Sequence, residues 1–534
     1  MSSPNPRGSD LLQKKVRADF AGGIDYYAGL RSIKDNESPN AVNCDFKGTG
    51  GVGNRQGYSQ VGVVSSSRTQ IWGMTEYHTS SLDYLIKFAS NGSNIALGYS
   101  TGSTWTFDTS TTFTDQKNLD AVEANSKLYS FNGTDAMNEW NGSSWSPTTD
   151  GKILKYGAYY NNRVWGVDPS ALDTIWFSVT STADFSSAGS GSITIFPGSG
   201  AKITALHVFK DNLYAWLNGS LKAIFKISPA SVANTFSVTM ITNTIGCVSH
   251  RSVAQVENDI YFAADDGIYT LGAVQLYTDI RTTNKSIRIQ PVYDSLSGAS
   301  KQRVVGKYFN FKYHLFYPLF GGQNDSCFVY DIRYQAWQDW RNMSAQDATT
   351  YTDSTNTSMF YFGHPTTGSV YQLYNGSTDS GTAIQSSWYS KSFDEGIPDT
   401  EKLYFDTTFI FEQINGSLSL GIIFNDSQLA ATKTLTQQNP QGGFGFSKFG
   451  RTRFGGNANT ITVTLVNTQP ERIRAKGQKF SIQYLISTTG SWSITDITQT
   501  FKVFSHYKFP SNLKITADAN TPSTPSNIYP NVYP

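Results

Sequence analysis

The chain has 534 residues, of which 38% are hydrophobic, 14% aromatic and only 16% charged, and its net charge is +1. The balanced charge argues against a protein that grips nucleic acid through a basic surface, and no run approaches the roughly 18 apolar residues that cross a bilayer. Three widely spaced cysteines, an odd number, argue against a disulfide framework and favour folding in a reducing compartment.

The first 19 residues are predicted to form an N-terminal arm, with one short candidate helix around Leu11 to Val16. Beyond it, runs of four to eight Tyr, Phe, Trp, Ile, Val and Thr residues alternate with Gly, Asn, Asp and Ser. This pattern is typical of strands and hairpins. We therefore expect an all-β protein.

One short phrase recurs along residues 20–379: an aliphatic–aromatic pair that follows a polar or turn residue. Its copies are Tyr84-Leu85, Lys127-Leu128-Tyr129, Arg163-Val164-Trp165, Asn212-Leu213-Tyr214, Asp259-Ile260-Tyr261, His314-Leu315-Phe316 and Met359-Phe360-Tyr361. Six steps cover the 275 residues from Leu85 to Phe360, about 46 residues each. A four-stranded propeller blade needs roughly 40–50 residues. The phrases predict an irregular β-propeller of about six to seven blades.

Asn-Gly followed by Ser or Thr occurs six times, at Asn91, Asn132, Asn141, Asn218, Asn375 and Asn415. These matches to the glycosylation pattern are better explained as strand reversals. Asn-Gly readily takes the two positive φ values of a type I′ turn, so we expect such hairpins here.

The repeated phrase stops near Ser377, and longer alternating strands follow it. We predict a C-terminal β-sandwich over residues 380–513. The final segment, 514–534, is rich in Pro, Thr, Ser and Asn and is expected to be an extended tail.

The chain resembles the tail nozzle, or stabilisation, proteins of short-tailed phages. The resemblance begins with Phe20–Asp25, Asn40–Phe46 and the Arg-x-Gly-Tyr turn within Gly53–Tyr58. It continues through Ile245–Val253, Asp259–Phe262, Asp266–Tyr269 and Phe328–Asp331 with Trp337, and ends with Trp388–Lys391, Phe393 and Arg474–Phe480. Each motif is short, but together and in this order they cover roughly residues 20–500.

The resemblance implies a structural virion protein with no enzymatic activity and no cofactor. Such a protein assembles with itself into a ring, as a homohexamer, below the portal and adaptor, and contacts other tail proteins. Viral DNA passes transiently through the lumen during genome ejection. With no secretory signal or membrane insertion expected, assembly would take place in the host cytoplasm, before the protein resides in the virion tail.

Catalytic patterns are weak in the sequence. Gly48–Gly53 lacks the Lys and helix of a phosphate-binding loop and is predicted to be a hairpin loop. The six histidines show no metal-ligand spacing, and no Gly-x-Ser-x-Gly is present. A glycosidase would need a carboxylate pair that nothing in the sequence singles out. We expect no catalytic and no metal-binding residues.

The most unusual segment, residues 441–456, interleaves cations and aromatic residues with glycines. Its candidate binding residues are Phe446, Lys448, Arg451, Arg453 and Phe454. They could dock a neighbouring subunit or contact DNA in the lumen. An ordinary exposed hairpin connection is the third reading.

The main alternative function is a receptor- or glycan-binding protein at the tail tip. Such a protein would use aromatic side chains on one face of the propeller as sugar platforms. It is expected to be a trimer with a concave pocket, whereas a nozzle ring should be a hexamer.

Overall fold

Strands dominate the structure of the chain. The computed structural model describes residues 12–48, 50–65, 67–79, 83–232, 234–274, 279–398, 400, 402–426, 428–436, 461–466 and 481–503. Helices in these ranges are short: α1 (Gln290–Ser295), α2 (Gly298–Lys301) and three-ten turns at His250–Ser252 and Ile287–Ile289. The predicted all-β class, an irregular propeller followed by a C-terminal β-sandwich, is confirmed. No helix of the described ranges is long and apolar enough to cross a membrane.

Before the first blade, the chain forms short strands that are distributed over several sheets. They are β1 (Gln13–Arg17), β2 (Gly23–Ile24), β3 (Glu37–Ser38), β4 (Asn40–Val42), β5 (Cys44–Lys47), β6 (Gly51–Asn54) and β7 (Tyr58–Gln60). The helix predicted around Leu11 to Val16 is wrong over its described residues. There β1 pairs with a strand near the end of the chain, Gln13 opposite Phe501, and this pairing overrides the local helical pattern.

Six blades each consist of four antiparallel strands that are consecutive in the chain. Their strands are β8 (Gln70–His78), β9 (Asp83–Ser90), β10 (Asn94–Ser100), β11 (Thr106–Thr114); β12 (Asp120–Ala124), β13 (Lys127–Phe131), β14 (Asn138–Trp140), β15 (Trp145–Pro147); β16 (Lys155–Tyr160), β17 (Arg163–Val167), β18 (Thr174–Phe177), β19 (Gly191–Thr194); β20 (Ala201–Phe209), β21 (Asn212–Gly219), β22 (Ala223–Pro229), β23 (Phe236–Thr242); β24 (Ala254–Val256), β25 (Asp259–Ala263), β26 (Ile268–Val274), β27 (Asp279–Asn284); and β28 (Val305–Phe309), β29 (Lys312–Tyr317), β30 (Ser326–Asp331), β31 (Ala336–Arg341).

A further four-stranded unit closes the ring and draws on both ends of the propeller segment. It contains β32 (Asp347–Thr352), β33 (Ser358–Gly363) and β34 (Val370–Leu373), with the early strand β7 paired to β34. The first strand of this unit, β32, contacts both β28 and β8. The circle of blades is thereby complete.

The recurring phrase of the sequence lies in the second strand of each unit. The seven copies fall in β9, β13, β17, β21, β25, β29 and β33. Their aliphatic residues, such as Leu128, Val164 and Leu213, are completely buried. A second strand has neighbours on both sides within its blade, so it carries the most apolar segment of each repeat.

The expected turn type at the Asn-Gly pairs needs correction. At Asn91, Asn132 and Asn141 only the following glycine has a positive φ, and the asparagine Oδ1 accepts hydrogen bonds from backbone N–H groups two and three residues on. These are Asx turns. Consecutive positive φ values occur instead at Asn125-Ser126, Asn161-Asn162, Lys210-Asp211 and Asn310-Phe311, which join first to second strands.

Two short strands, β35 (Thr378–Asp379) and β36 (Thr382–Ala383), continue the sheet of the closing unit beyond β7. The later strands build a sandwich together with strands from the N-terminal part. They are β37 (Ser386–Tyr389), β38 (Lys402–Asn415), β39 (Ser417–Phe424), β40 (Gln428–Thr436), β41 (Ile461–Val466), β42 (Ile482–Thr488) and β43 (Ser491–Val503). One sheet has the order β41-β38-β43-β6-β5, with β1 also on β43. The other contains β4-β37-β42-β39-β40.

This arrangement alters the domain boundaries drawn from the sequence. Residues 1–19 were expected to form an arm and residues 20–379 a propeller, yet β1, β4, β5 and β6 lie in the sandwich sheets. Local patterns cannot reveal a pairing partner more than 300 residues away, so the sequence could not assign these strands.

Propeller and sandwich share a sheet and a core. The strands β28–β31 of the sixth blade continue through β4 into the sandwich, giving one nine-stranded sheet. A single buried apolar cluster contains Tyr313 and Trp337 of the propeller together with Trp388, Phe409 and Tyr484 of the sandwich. The two units are therefore joined by packed side chains as well as by the chain itself.

Candidate functional site

In three blades the first strand carries a β-bulge near its beginning, and the three bulges lie at the same end of the propeller channel. The bulged residues are Trp72 in β8, Tyr156 in β16 and Thr204 in β20. Tyr156 has a φ of +56°, a conformation that costs free energy for a bulky residue. Bulges turn side chains away from the regular alternation, and here Tyr156 and Thr204 line the channel mouth.

The three-ten turn before β24 reaches across this channel. His250 Nε2 lies 3.0 Å from Oδ2 of Asp120 in β12, and His250 Nδ1 accepts from the Leu206 N–H in β20 at 3.4 Å. The Tyr156 ring lies 4.7 Å from the imidazole, centre to centre. A side chain from the fifth blade is thus fixed by the second, third and fourth blades.

Arg251, the next residue, contacts two units of the ring that His250 does not reach. Its Nη1 donates to the Gln346 carbonyl at 3.0 Å, Nη2 donates to the Trp72 carbonyl, and Nη2 lies 3.8 Å from Asp347 Oδ2. These partners belong to the first and closing units. His250 and Arg251 together therefore bridge the channel and close it at this level.

Outside this bridge lies a cavity of about 640 Å³. Lys155 and Tyr156 line it from β16, Lys202 from β20, and Asn118 and Gln302 from loops. A volume of this size is within the range of ligand pockets, roughly 300–1,000 Å³.

The acidic residues of the cavity already have partners within the protein. Burial raises the pKa of Asp120, but His250 and the hydrogen bond from the Gly157 N–H outweigh it and hold the pKa below its ordinary value. Asp265 pairs with Lys222 Nζ at 2.8 Å. In contrast, Lys155 and Lys202 form no ion pair with any described residue, although Lys155 Nζ lies 4.6 Å from the centre of the Tyr156 ring.

Further histidines lie elsewhere along the channel and in the blades. His78 Nδ1 and Nε2 lie 2.9 and 3.0 Å from Asp83 Oδ1 and Glu76 Oε2. His314 is buried, with its Nε2 2.6 Å from the Tyr374 hydroxyl. Within the described ranges, no cluster of His, Cys, Asp and Glu could hold a metal ion.

The binding residues predicted from the sequence cannot be compared with this cavity. Phe446, Lys448, Arg451, Arg453 and Phe454 all lie outside the described residues.

Sequence reasoning did not single out Asp120, His250 or the two lysines of the cavity. A usable signal was present, however. In three blades, a larger residue precedes a small one near the start of the first strand. These pairs are Trp72-Gly73, Tyr156-Gly157 and Thr204-Ala205. Gly157 is needed there because a Cβ would lie 2.4 Å from the Phe131 ring. Aligning the repeats on these pairs would have located the bulges.

Comparison with known proteins finds structures that are only distantly similar to this chain. No family model matches the chain, and no curated protein matches it. Similar solved structures include the extracellular domain of a one-component system from B. thetaiotaomicron, with 10% identity and a TM-score of 0.39 over 82% of this chain and 60% of that one. They also include BBS1N in complex with ARL6DN, with 8% identity and a TM-score of 0.39 over 61% and 99% of the two chains. The N-terminal domain of Nup159 has 9% identity and a TM-score of 0.35 over 62% and 98%. Nothing about function follows from likenesses this distant.

Proposed function

We propose that the chain is a structural subunit of a short-tailed phage, forming a homohexameric nozzle ring in the virion tail below the portal and adaptor. The observation that carries this proposal is the rigid join between propeller and sandwich. A ring that conducts DNA under pressure needs stiff subunits, and a stiff wedge can close a cyclic ring through head-to-tail contacts.

Some of the residues that carry the resemblance to nozzle proteins lie at this join. The Phe20 ring packs edge-on against Trp388 at 5.4 Å between centres. Asn43 Oδ1 accepts from Arg55 Nε at 2.9 Å, and Tyr58 begins the strand that closes the propeller. The position of these residues supports the view that the shared motifs fix the propeller and the sandwich to each other in a common way.

Two buried ion pairs strengthen the join. Arg55 makes a bidentate pair with Asp379, at 2.8 and 2.6 Å. Lys312 Nζ lies 2.6 and 2.7 Å from the two carboxylate oxygens of Asp45, which also accepts from Gln338. Buried pairs of this kind fix geometry because neither partner can move without leaving a charge uncompensated.

The closed propeller channel determines where DNA would pass in this proposal. Because His250 and Arg251 bridge the channel, the conduit would be the central lumen formed between subunits. The proposed role is mechanical and uses neither a catalytic group nor a cofactor.

The symmetry of the protein in purified virions or isolated tails tests the proposal. Cryo-electron microscopy class averages, with the subunit located by an antibody fragment against the full chain, are expected to show sixfold density coaxial with the portal. Threefold density at the tip, or a label absent from particles, would contradict the nozzle assignment. Mass photometry of the purified chain would show whether the ring forms without neighbouring tail proteins.

A further inference from the structure

We propose that the cavity at the propeller mouth binds an acidic sugar, with Lys155 and Lys202 pairing to its carboxylate. The inference goes beyond the ring assembly and does not depend on it. It commits the cavity to one ligand class, a carboxylate-bearing monosaccharide unit of a glycan.

The charge of the cavity is the first argument. The two acidic residues that line it have protein partners, Asp120 with His250 and Asp265 with Lys222. Arg251 is bound to two carbonyls and lies near Asp347. Two cations, Lys155 and Lys202, remain without an anionic partner among the described residues. An anion entering the cavity would gain charge-assisted hydrogen bonds without displacing an existing pair.

The neutral groups of the cavity favour a sugar over a bare inorganic anion. Asn118 Oδ1 accepts from Gln346 Nε2 at 3.1 Å, which leaves the Asn118 amide nitrogen to donate. Gln302 lines the cavity with a side chain that makes no hydrogen bond to a described residue. The Tyr156 ring adds an aromatic surface. Amides suit hydroxyl groups and an aromatic ring suits apolar C–H surface, whereas phosphate could accept from the amides but has no apolar surface for the ring.

The site is also fixed in advance of binding. The strained backbone of Tyr156 and the bulges of β16 and β20 set the direction of the lining side chains. His250 and Arg251, both fixed by contacts to other blades, form part of the cavity lining. Groups held by the fold lose little conformational entropy when a ligand arrives.

Calorimetric titration of the full chain with matched probes tests the inference. The probes are a tetrasaccharide containing glucuronate, its carboxyl-reduced neutral derivative, 3′-sialyllactose and inorganic phosphate. We expect at least one acidic saccharide to bind and the neutral derivative to bind at least tenfold more weakly. Phosphate should not compete at equal concentration.

Variants then assign the binding to the two lysines. Lys155→Ala with Lys202→Ala should weaken acidic-saccharide binding at least tenfold. Lys14→Ala with Lys210→Ala, which removes the same charge away from the cavity, should leave it unchanged. Thermal unfolding curves verify that both double variants fold.

Four outcomes would overturn the inference. The first three are no binding of either acidic saccharide to the unmodified chain, equal binding of the neutral derivative, and equal loss in both double variants. The fourth is competition by phosphate at equal concentration, which would show that the cavity recognises an anion and not a sugar.

Discussion

Loss of the Asp379 carboxylate should destabilise the chain far more than loss of an exposed ion pair. The Arg55 side chain is fully buried, and its guanidinium donates to both Asp379 oxygens. In Asp379→Ala the guanidinium stays buried without a carboxylate, and breaking such a pair costs about 3–5 kcal/mol. We expect the lower end, about 3 kcal/mol, because Asn43 Oδ1 and the carbonyls of Gln56 and Arg341 still accept from it.

Urea unfolding followed by tryptophan fluorescence measures this loss, and hydrogen exchange at β7 measures its local effect. The matched control is Lys222→Ala, whose ion pair with Asp265 is 41% exposed on both sides and should contribute at most about 1 kcal/mol. The double variant Arg55→Met with Asp379→Ala should lose less than the sum of its single changes, because no buried charge remains. A cost below about 1 kcal/mol for Asp379→Ala, with β7 still protected, would refute the argument.

Three other features give independent tests. Burial lowers the pKa of His207 to about 4. The stability that its neutral form provides above pH 6.5 should therefore fall as the pH drops from 6.5 towards 4, and calorimetry should show a smaller dependence in His207→Asn, where the buried His314, with its pKa lowered to about 3, still contributes. NMR titration of the imidazole checks the pKa of His207, and an unchanged pH dependence in the variant would contradict the assignment. The three cysteines are free and buried, and burial raises the pKa of each thiol. A thiol reagent should therefore label none of them in the native chain and all three in denaturant. Rapid labelling of the native chain would contradict this prediction. A Cβ at Gly57 would lie 2.0 Å from the Thr378 carbonyl oxygen. Gly57→Ala should therefore lower the free energy of unfolding by about 1–3 kcal/mol. The control Gly298→Ala, at a position with open space around it, should leave the free energy of unfolding unchanged.

The repeats were readable from the sequence because each blade presents its most apolar strand in the same place. Leu128 and Val164 occupy equivalent positions in β13 and β17, and the 46-residue spacing follows from that equivalence. Period and composition are local properties, so they predicted the propeller and the sandwich without knowledge of any contact.

The sites that depend on long-range contacts were not readable in this way. His250 resembles any strand-end histidine until the fold brings Asp120 within 3.0 Å, 130 positions away in the chain. The same holds for β1, whose helical pattern gives way to pairing with β43. The turn type predicted for the Asn-Gly pairs was wrong for a different reason. The asparagine side chain competes with the backbone for the turn hydrogen bonds.

The strand that closes the propeller also sets the timing of its completion. Tyr58 in β7 pairs with Leu373 in β34, 315 positions later. At roughly 5–20 residues per second of synthesis, β7 leaves the ribosome on the order of half a minute before its partner exists. During that interval the nascent circle stays open, with unpaired backbone at β7 and at the first blade, edges of the kind that invite pairing with other chains. The propeller thus acquires its closed outline only after most of the chain has been made, and in the proposed ring any contact with other copies before that point would join incomplete molecules.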